Sequence, residues 1–236
     1  MTHRPTRRLA ALATLAGAAA FLAAACSGGA GASPILTPRS APAEPPASQP
    51  AGGIPAGCPT SAPAPLAAGD VATVTLATEK GDIIIAVKGS LAPNATGNFV
   101  ALAECGYYDG VVFHRLMPGF VLQGGDGQYG RVPIADPTQM GYGGPGYTIT
   151  DDPVTAPYGR GTVAMARTSE PNSVGSQFFI VLDDKDQAVL ASANTYQIIG
   201  SVATGMDAVD AIYAAAAGQE LPPNPIAMTK VTVSNP

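Results

Sequence analysis

The chain has 236 residues, 46% of them hydrophobic, with 12 Lys+Arg against 17 Asp+Glu for a net charge of −5. No basic cluster interrupts that acidic balance, which argues against nucleic acid as a partner. With two histidines, three cysteines and no tryptophan, the chain cannot build a multi-histidine metal centre, and neither metal nor any other cofactor is expected.

In chain order, the first element is a targeting segment. Arg4, Arg7 and Arg8 precede the uncharged run LAALATLAGAAAFLAAA, which ends at Cys26. That order marks residues 1–25 as an export signal, too short in its apolar part for a stable membrane span. LAAAC (Leu22–Cys26) resembles a bacterial lipobox, with Ala23 where Leu is usual. The resemblance implies that Cys26 is lipidated and anchors the protein outside the cytoplasm, on the cell membrane; plain secretion is the alternative. Loss of the three signal arginines leaves 9 basic against 17 acidic residues, or −8.

Residues 26–68 follow, rich in Ala, Pro, Ser and Gly, as in SPILTPRSAPAEPPASQPAGG. Such a segment buries too little apolar surface to offset its ordering entropy and is expected to be a disordered tether. With Cys26 lipidated, Cys58 and Cys105 are left in an oxidising compartment. That permits a disulfide pinning the tether to the domain, or two free thiols.

Residues 69–236 read as one domain of sufficient length for a sizeable core. VATVTLATEKGDIIIAVKG predicts a hairpin turning at Glu79–Asp82. PNATGNFVALAECG predicts a helix stopped at Gly106, with Asn94-Ala95-Thr96 read as its cap. Strand-like runs follow at VVFHRLM, GFVLQ, GYTIT, GTVAMA, SQFFIVL and YQIIGSV. A second helix is read at MDAVDAIYAAAAG and a last strand at MTKVTVSN. About eight short, mostly antiparallel strands with two flanking helices predict a mainly β fold, a closed eight-stranded barrel that leaves no sheet edge unpaired. Such a barrel points to a monomer.

Several motifs lead nowhere. GDGQYG (Gly125–Gly130) fits a dinucleotide-binding pattern, but Pro133 and Pro137 forbid the helix that must open after it. His114 has no G-x-S-x-G serine to serve and reads as structural. Asp151-Asp152 offers a cation ligand pair but reads as a solvated turn.

FHRLMPGFVLQGGDG and MARTSEPNSVGSQFFIVL, with GYYDG, GGPGYTI and GMDAVDAI, together resemble the signature regions of cyclophilin-type peptidyl-prolyl cis-trans isomerases. The likeness runs from about Val71 to the C-terminus. It implies an isomerase acting on proline-containing segments of exported polypeptides. A proline-segment-binding scaffold or holdase without turnover is the alternative. By position, the resemblance makes Arg115 the catalytic donor and Phe120 and Phe179 the walls of a proline pocket. Val121 stands where many members have Met. Gln123 and Gln177 match groups that hold the substrate backbone. Ala166 and Arg167 lie where the family has Ala-Asn, Leu190 supplies the far wall, and Tyr196 takes a place often held by His. Absence of Trp implies weak cyclosporin binding. The stretch Arg131–Met140 is an insertion of roughly ten residues beside the groove.

The chemistry fits those residue types. Rotation about an X–Pro bond crosses a resonance barrier of about 18–20 kcal/mol and takes tens to hundreds of seconds uncatalysed. In the twisted amide the prolyl nitrogen regains a basic lone pair. A donor aimed there stabilises the transition state more than either planar state. Arg offers a permanent charge on a rigid fork, and apolar walls lower the dielectric around it. The reading requires Arg115 to face a ring-sized apolar hollow rather than be locked against a carboxylate.

Overall fold

A computed structural model describes residues 53–234 of the chain. The expected export signal, Cys26 and the start of the expected tether lie outside the described residues. Eight antiparallel strands are β1 (Val71–Thr78), β2 (Gly81–Lys88), β3 (Val111–Met117), β4 (Val121–Gly124), β5 (Thr162–Met165), β6 (Phe178–Val181), β7 (Ile198–Thr204) and β8 (Ala227–Ser234). They close in the order β1-β2-β7-β5-β6-β4-β3-β8. The barrel expected from the sequence is therefore observed.

Alternation explains the strands. In β1 and β2 every second side chain is withdrawn from solvent, among them Val74, Leu76, Ile83, Ile85 and Val87. These join Phe99, Phe113, Phe178, Ile180 and Val231 in one cluster that fills the barrel and packs under its helices. GYTIT does not become a ninth strand. Only Ile149 makes a bridge, to Val174, because a barrel already closed by eight strands offers no free edge.

Among the described residues three α-helices, not two, accompany the barrel: α1 (Pro93–Glu104), α2 (Gln187–Ala193) and α3 (Met206–Ala215). α2 is a short helix carrying a single buried residue, Leu190, so its seven residues show too little periodicity to read. The start of α1 also differs from expectation. Its N-cap, Ala92, has no side chain to offer, and Pro93 occupies the first turn, where a missing N–H costs nothing. The acceptor comes from elsewhere: Asp152 takes the Ala95 N–H at 2.9 Å and the Asn94 amide at 3.0 Å. Gly106 ends the helix with φ +76°, as expected.

The last part of the expected tether, residues 53–68, lies against the domain. Cys58 and Cys105 are bridged, with Cα atoms 5.1 Å apart. The Leu66 N–H donates to the Pro93 carbonyl at 3.0 Å. A Cβ on Gly97 would stand 2.3 Å from the Ala64 carbonyl oxygen, which explains a glycine inside α1. The disulfide and these backbone contacts hold a segment whose composition alone could not. Among the described residues, no helix is long and apolar enough to cross a membrane.

Candidate active site

Strand β3 positions the key arginine through an irregularity. Phe113 and Leu116 both belong to the inner core, and strict alternation would send Arg115 inward beside Phe113. Instead, Phe113 faces Gly124 and Arg115 faces Gln123, so the register shifts at His114. That bulge re-aims Arg115 to the outer face. Cross-strand pairing then sets one row across four strands: Arg115, Gln123, Phe179 and Ala164.

That outer face carries its own apolar cluster. Phe120, Val121, Ala166, Phe179, Leu190 and Tyr196 all lie in it, together with Tyr158, Ala164, Val181 and Ile198. The Phe179 and Tyr196 rings meet edge to face at 5.4 Å, and the Tyr158 hydroxyl donates to the Tyr196 carbonyl at 2.9 Å. Six residues scattered over 77 positions are thus brought together as expected.

Arg115 departs from expectation in one respect. Its Nε donates to Glu220 Oε1 at 2.7 Å, an ion pair whose arginine side chain is 20% exposed and whose glutamate is 49% exposed. The guanidinium is therefore held by a carboxylate, contrary to the condition drawn from the sequence. The hold is on one edge only. Nη1 makes a long contact, 3.5 Å, to Gln123 Oε1, and neither bond uses Nη2. Glu220 is fixed in turn, since its carbonyl accepts the Leu116 N–H at 2.8 Å.

The glutamines are more internal than expected. Gln123 and Gln177 are both buried, and Gln123 Nε2 donates to Gln177 Oε1 at 3.0 Å. Gln177 Nε2 donates to the carbonyls of Gly141, at 3.1 Å, and Gly143, at 2.8 Å. Its amide supports the loop and Gln123 rather than reaching outward. The buried Asp126 secures the same loop by accepting N–H groups of Gln128, Tyr129, Gly141 and Gly143.

Arg167 is likewise a correction. Its guanidinium donates to Asp151 at 2.9 Å, to the Glu170 carbonyl at 2.7 Å and, more weakly, to the carbonyls of Thr168 and Thr195. With its side chain 9% exposed, this is an internal clamp, because a buried charge demands such partners. Asp151 also accepts from Gln197 and Asn172, and Asp152 serves α1, so that pair is structural rather than a solvated turn. His114 sits buried behind the arginine, with both ring nitrogens unpartnered. Burial, opposed in part by Asp126, pushes it down to about 4 and keeps the ring neutral.

A family model for the cyclophilin-type peptidyl-prolyl cis-trans isomerase domain matches residues 73–233. The chain belongs to the cyclophilin-type isomerases. It is 39% identical over 148 residues to a probable peptidyl-prolyl cis-trans isomerase of Brucella abortus, covering 62% of this chain and 74% of that protein. It is 35% identical over 194 residues to peptidyl-prolyl cis-trans isomerase A of Mycobacterium tuberculosis, covering 72% and 95%. A crystal structure of a Cryptosporidium parvum cyclophilin-type isomerase in the presence of the dipeptide Ala-Pro superposes with a TM-score of 0.57 at 30% identity. It covers 69% of this chain and 98% of that one.

The candidate site of this cyclophilin-type isomerase also includes residues that its sequence did not disclose. Glu220 stands 105 positions from Arg115, and Tyr158 lies in the loop segment TAPYG with no periodicity around it. Ile198 and Ala164 were legible as strand residues, but only the barrel order puts them on the outer face.

Proposed function

We propose that this isomerase works outside the cytoplasm on proline-containing segments of exported polypeptides, assisting their folding, with Arg115 as the group that stabilises the twisted prolyl amide. The observation that carries the reading is the row of β3, β4 and β6. It sets Arg115 in one row with Phe179, across Gln123, at the border of the outer apolar face, its guanidinium held at Nε by Glu220 while Nη2 stays out of both bonds. Phe120, Phe179 and Leu190 receive the pyrrolidine ring, and the Nη edge turns towards the prolyl nitrogen as resonance is lost. Glu220 fixes the guanidinium at Nε, with Gln123 Oε1 at 3.5 Å from Nη1, so little reorganisation remains when substrate arrives. A donor ready before the reaction favours the twisted state over both planar ones.

The placement outside the cytoplasm rests on the order of the N-terminal segments and on the Cys58–Cys105 disulfide, a bond of oxidising compartments. The relative crystallised with Ala-Pro supports a proline-containing substrate, and a barrel without sheet edges supports a monomer. In a proline-peptide isomerisation assay, Arg115→Ala should lower kcat/KM roughly 10²–10³-fold, as for loss of an oxyanion-type donor; full retained activity refutes the mechanism. Cys26→Ala should move the protein from the membrane to the soluble fraction of cells, and an unchanged distribution refutes the anchor.

A further inference from the structure

An apolar groove begins one residue beyond Glu220, the partner of Arg115, at Leu221. It measures about 570 Å³ and lies between two segments that the isomerase chemistry does not use. One wall is the insertion, through Val132, Ile134 and Met140; the other is the LPPNPI stretch, through Leu221, Pro223 and Ile226. Both walls hang from β3. The insertion is tied to the start of it by a bridge between Arg131 and Val111, flanked by the Val112 N–H to Gly130 carbonyl bond at 2.8 Å and the Val132 N–H to Gly110 carbonyl bond at 2.9 Å. The opposite wall is tied by the Phe113 N–H to Ile226 carbonyl bond at 2.9 Å and the Leu116 N–H to Glu220 carbonyl bond at 2.8 Å.

Each wall also runs directly into the site. Met140 is followed by Gly141, whose carbonyl accepts from Gln177, and Leu221 follows Glu220, which holds Arg115. Val132 and Leu221 are the two most exposed large apolar side chains among the described residues, at 46% and 57%. Two such side chains converging on one groove mark a binding surface rather than scattered exposure. The three prolines of LPPNPI and the bonds to β3 present it already shaped, which lowers the ordering cost of binding.

We propose that this groove is an extension of the substrate site, which takes apolar side chains of the same polypeptide a few residues to one side of the isomerising proline. The assignment rests on the reading of Arg115 as the catalytic group, because the chain continuity of Leu221 with Glu220, and of Met140 with Gly141, is what names the occupant. Glu79 on its lining and Glu220 beside Leu221 make it unfavourable to acidic flanks. Clients would thus be selected by apolar stretches beside proline, as unfolded exported chains present them.

The test uses the full-length protein and three kinds of peptide: a proline tetrapeptide, the same peptide extended by three apolar residues on either flank, and matched extensions of Ser and Gln. An apolar extension on one flank should raise kcat/KM about tenfold over the tetrapeptide, through KM, while the polar extension gives no gain. Val132→Asp and Leu221→Asp, on opposite walls and at exposed positions, should each cut that ratio at least about threefold. No gain on either flank, with normal tetrapeptide turnover, overturns the groove assignment and leaves the Arg115 reading intact. Retained gain in both variants overturns it as well. So does a shift in sedimentation on either substitution with the ratio unchanged, which assigns the groove to a second copy of the chain. Loss of tetrapeptide turnover in Arg115→Ala, by contrast, tests the catalytic reading alone.

Discussion

Phe178 and Phe179 are consecutive aromatic residues on β6, and neither is exposed. Phe178 packs inside the barrel against Phe99, Tyr108 and Phe113, with ring centroids 5.2, 5.7 and 6.3 Å away. Phe179 lies on the outer face against Tyr196, in one row with Gln123 and Arg115. Composition and burial do not distinguish the two positions. Their neighbours do: the inner ring packs against three other rings, whereas the outer one shares its row with an amide and a guanidinium. A site here is a second apolar cluster with a charge at its border.

The sharpest way to break that contrast is to truncate both rings. Phe178→Ala should cost about 3–5 kcal/mol of stability, since the closed barrel cannot collapse around the void. The folded fraction should keep its turnover. Phe179→Ala should cost less, because the outer face can relax into the gap, but should raise KM for proline peptides roughly tenfold or more. Urea melts and peptide kinetics on the two variants decide it. Equal stability losses with unchanged KM in Phe179→Ala would make the outer cluster a mere second core.

Acid probes the buried bulge residue of β3. The unfolded chain protonates histidine near 6.5, whereas folded His114 resists until about 4. Between those values the unfolded state binds more protons, so stability is fully present above about pH 6.5 and falls as pH drops towards 4. The loss is on the order of 3 kcal/mol. Carboxylates titrate at the lower end of that window, so the comparison is with His114→Phe. Its urea midpoint should be flatter between pH 6.5 and 5 than that of the unaltered protein, and parallel curves would contradict the burial argument.

The smallest effect is expected at Glu220. As a half-exposed pair with Arg115, it should contribute under about 1 kcal/mol to stability. If it fixes the guanidinium, however, Glu220→Gln should lower kcat several-fold with KM little changed, and Glu220→Ala should lower it further. Unchanged kcat in both variants reduces the pair to a surface contact.

These residues also show what was legible beforehand. Alternation in VATVTLAT and GDIIIAVK, and the stop at Gly106, are local properties, and local sequence carries them. The outward turn of Arg115 depends on a bulge at His114 that alternation alone would have read the other way; only the resemblance of FHRLMPGF to a known family placed it. Gln177 and Arg167 occupied the anticipated positions but turned to internal partners, Gly141 and Gly143 for one and Asp151 for the other. Hydrogen-bond partners so far apart in the chain follow from barrel closure and leave no local trace. Glu220, in a proline-rich loop far from β3 in sequence, was invisible for the same reason.

The central claim is that Arg115 lowers the barrier rather than merely gripping the peptide. Exchange line shapes of a proline peptide, titrated with the unaltered protein and with Arg115→Ala, report affinity and on-enzyme interconversion separately. The predicted result is an interconversion rate down by about 10²–10³-fold with affinity changed by less than about tenfold. A variant that binds far more weakly yet interconverts bound peptide at the original rate would contradict it.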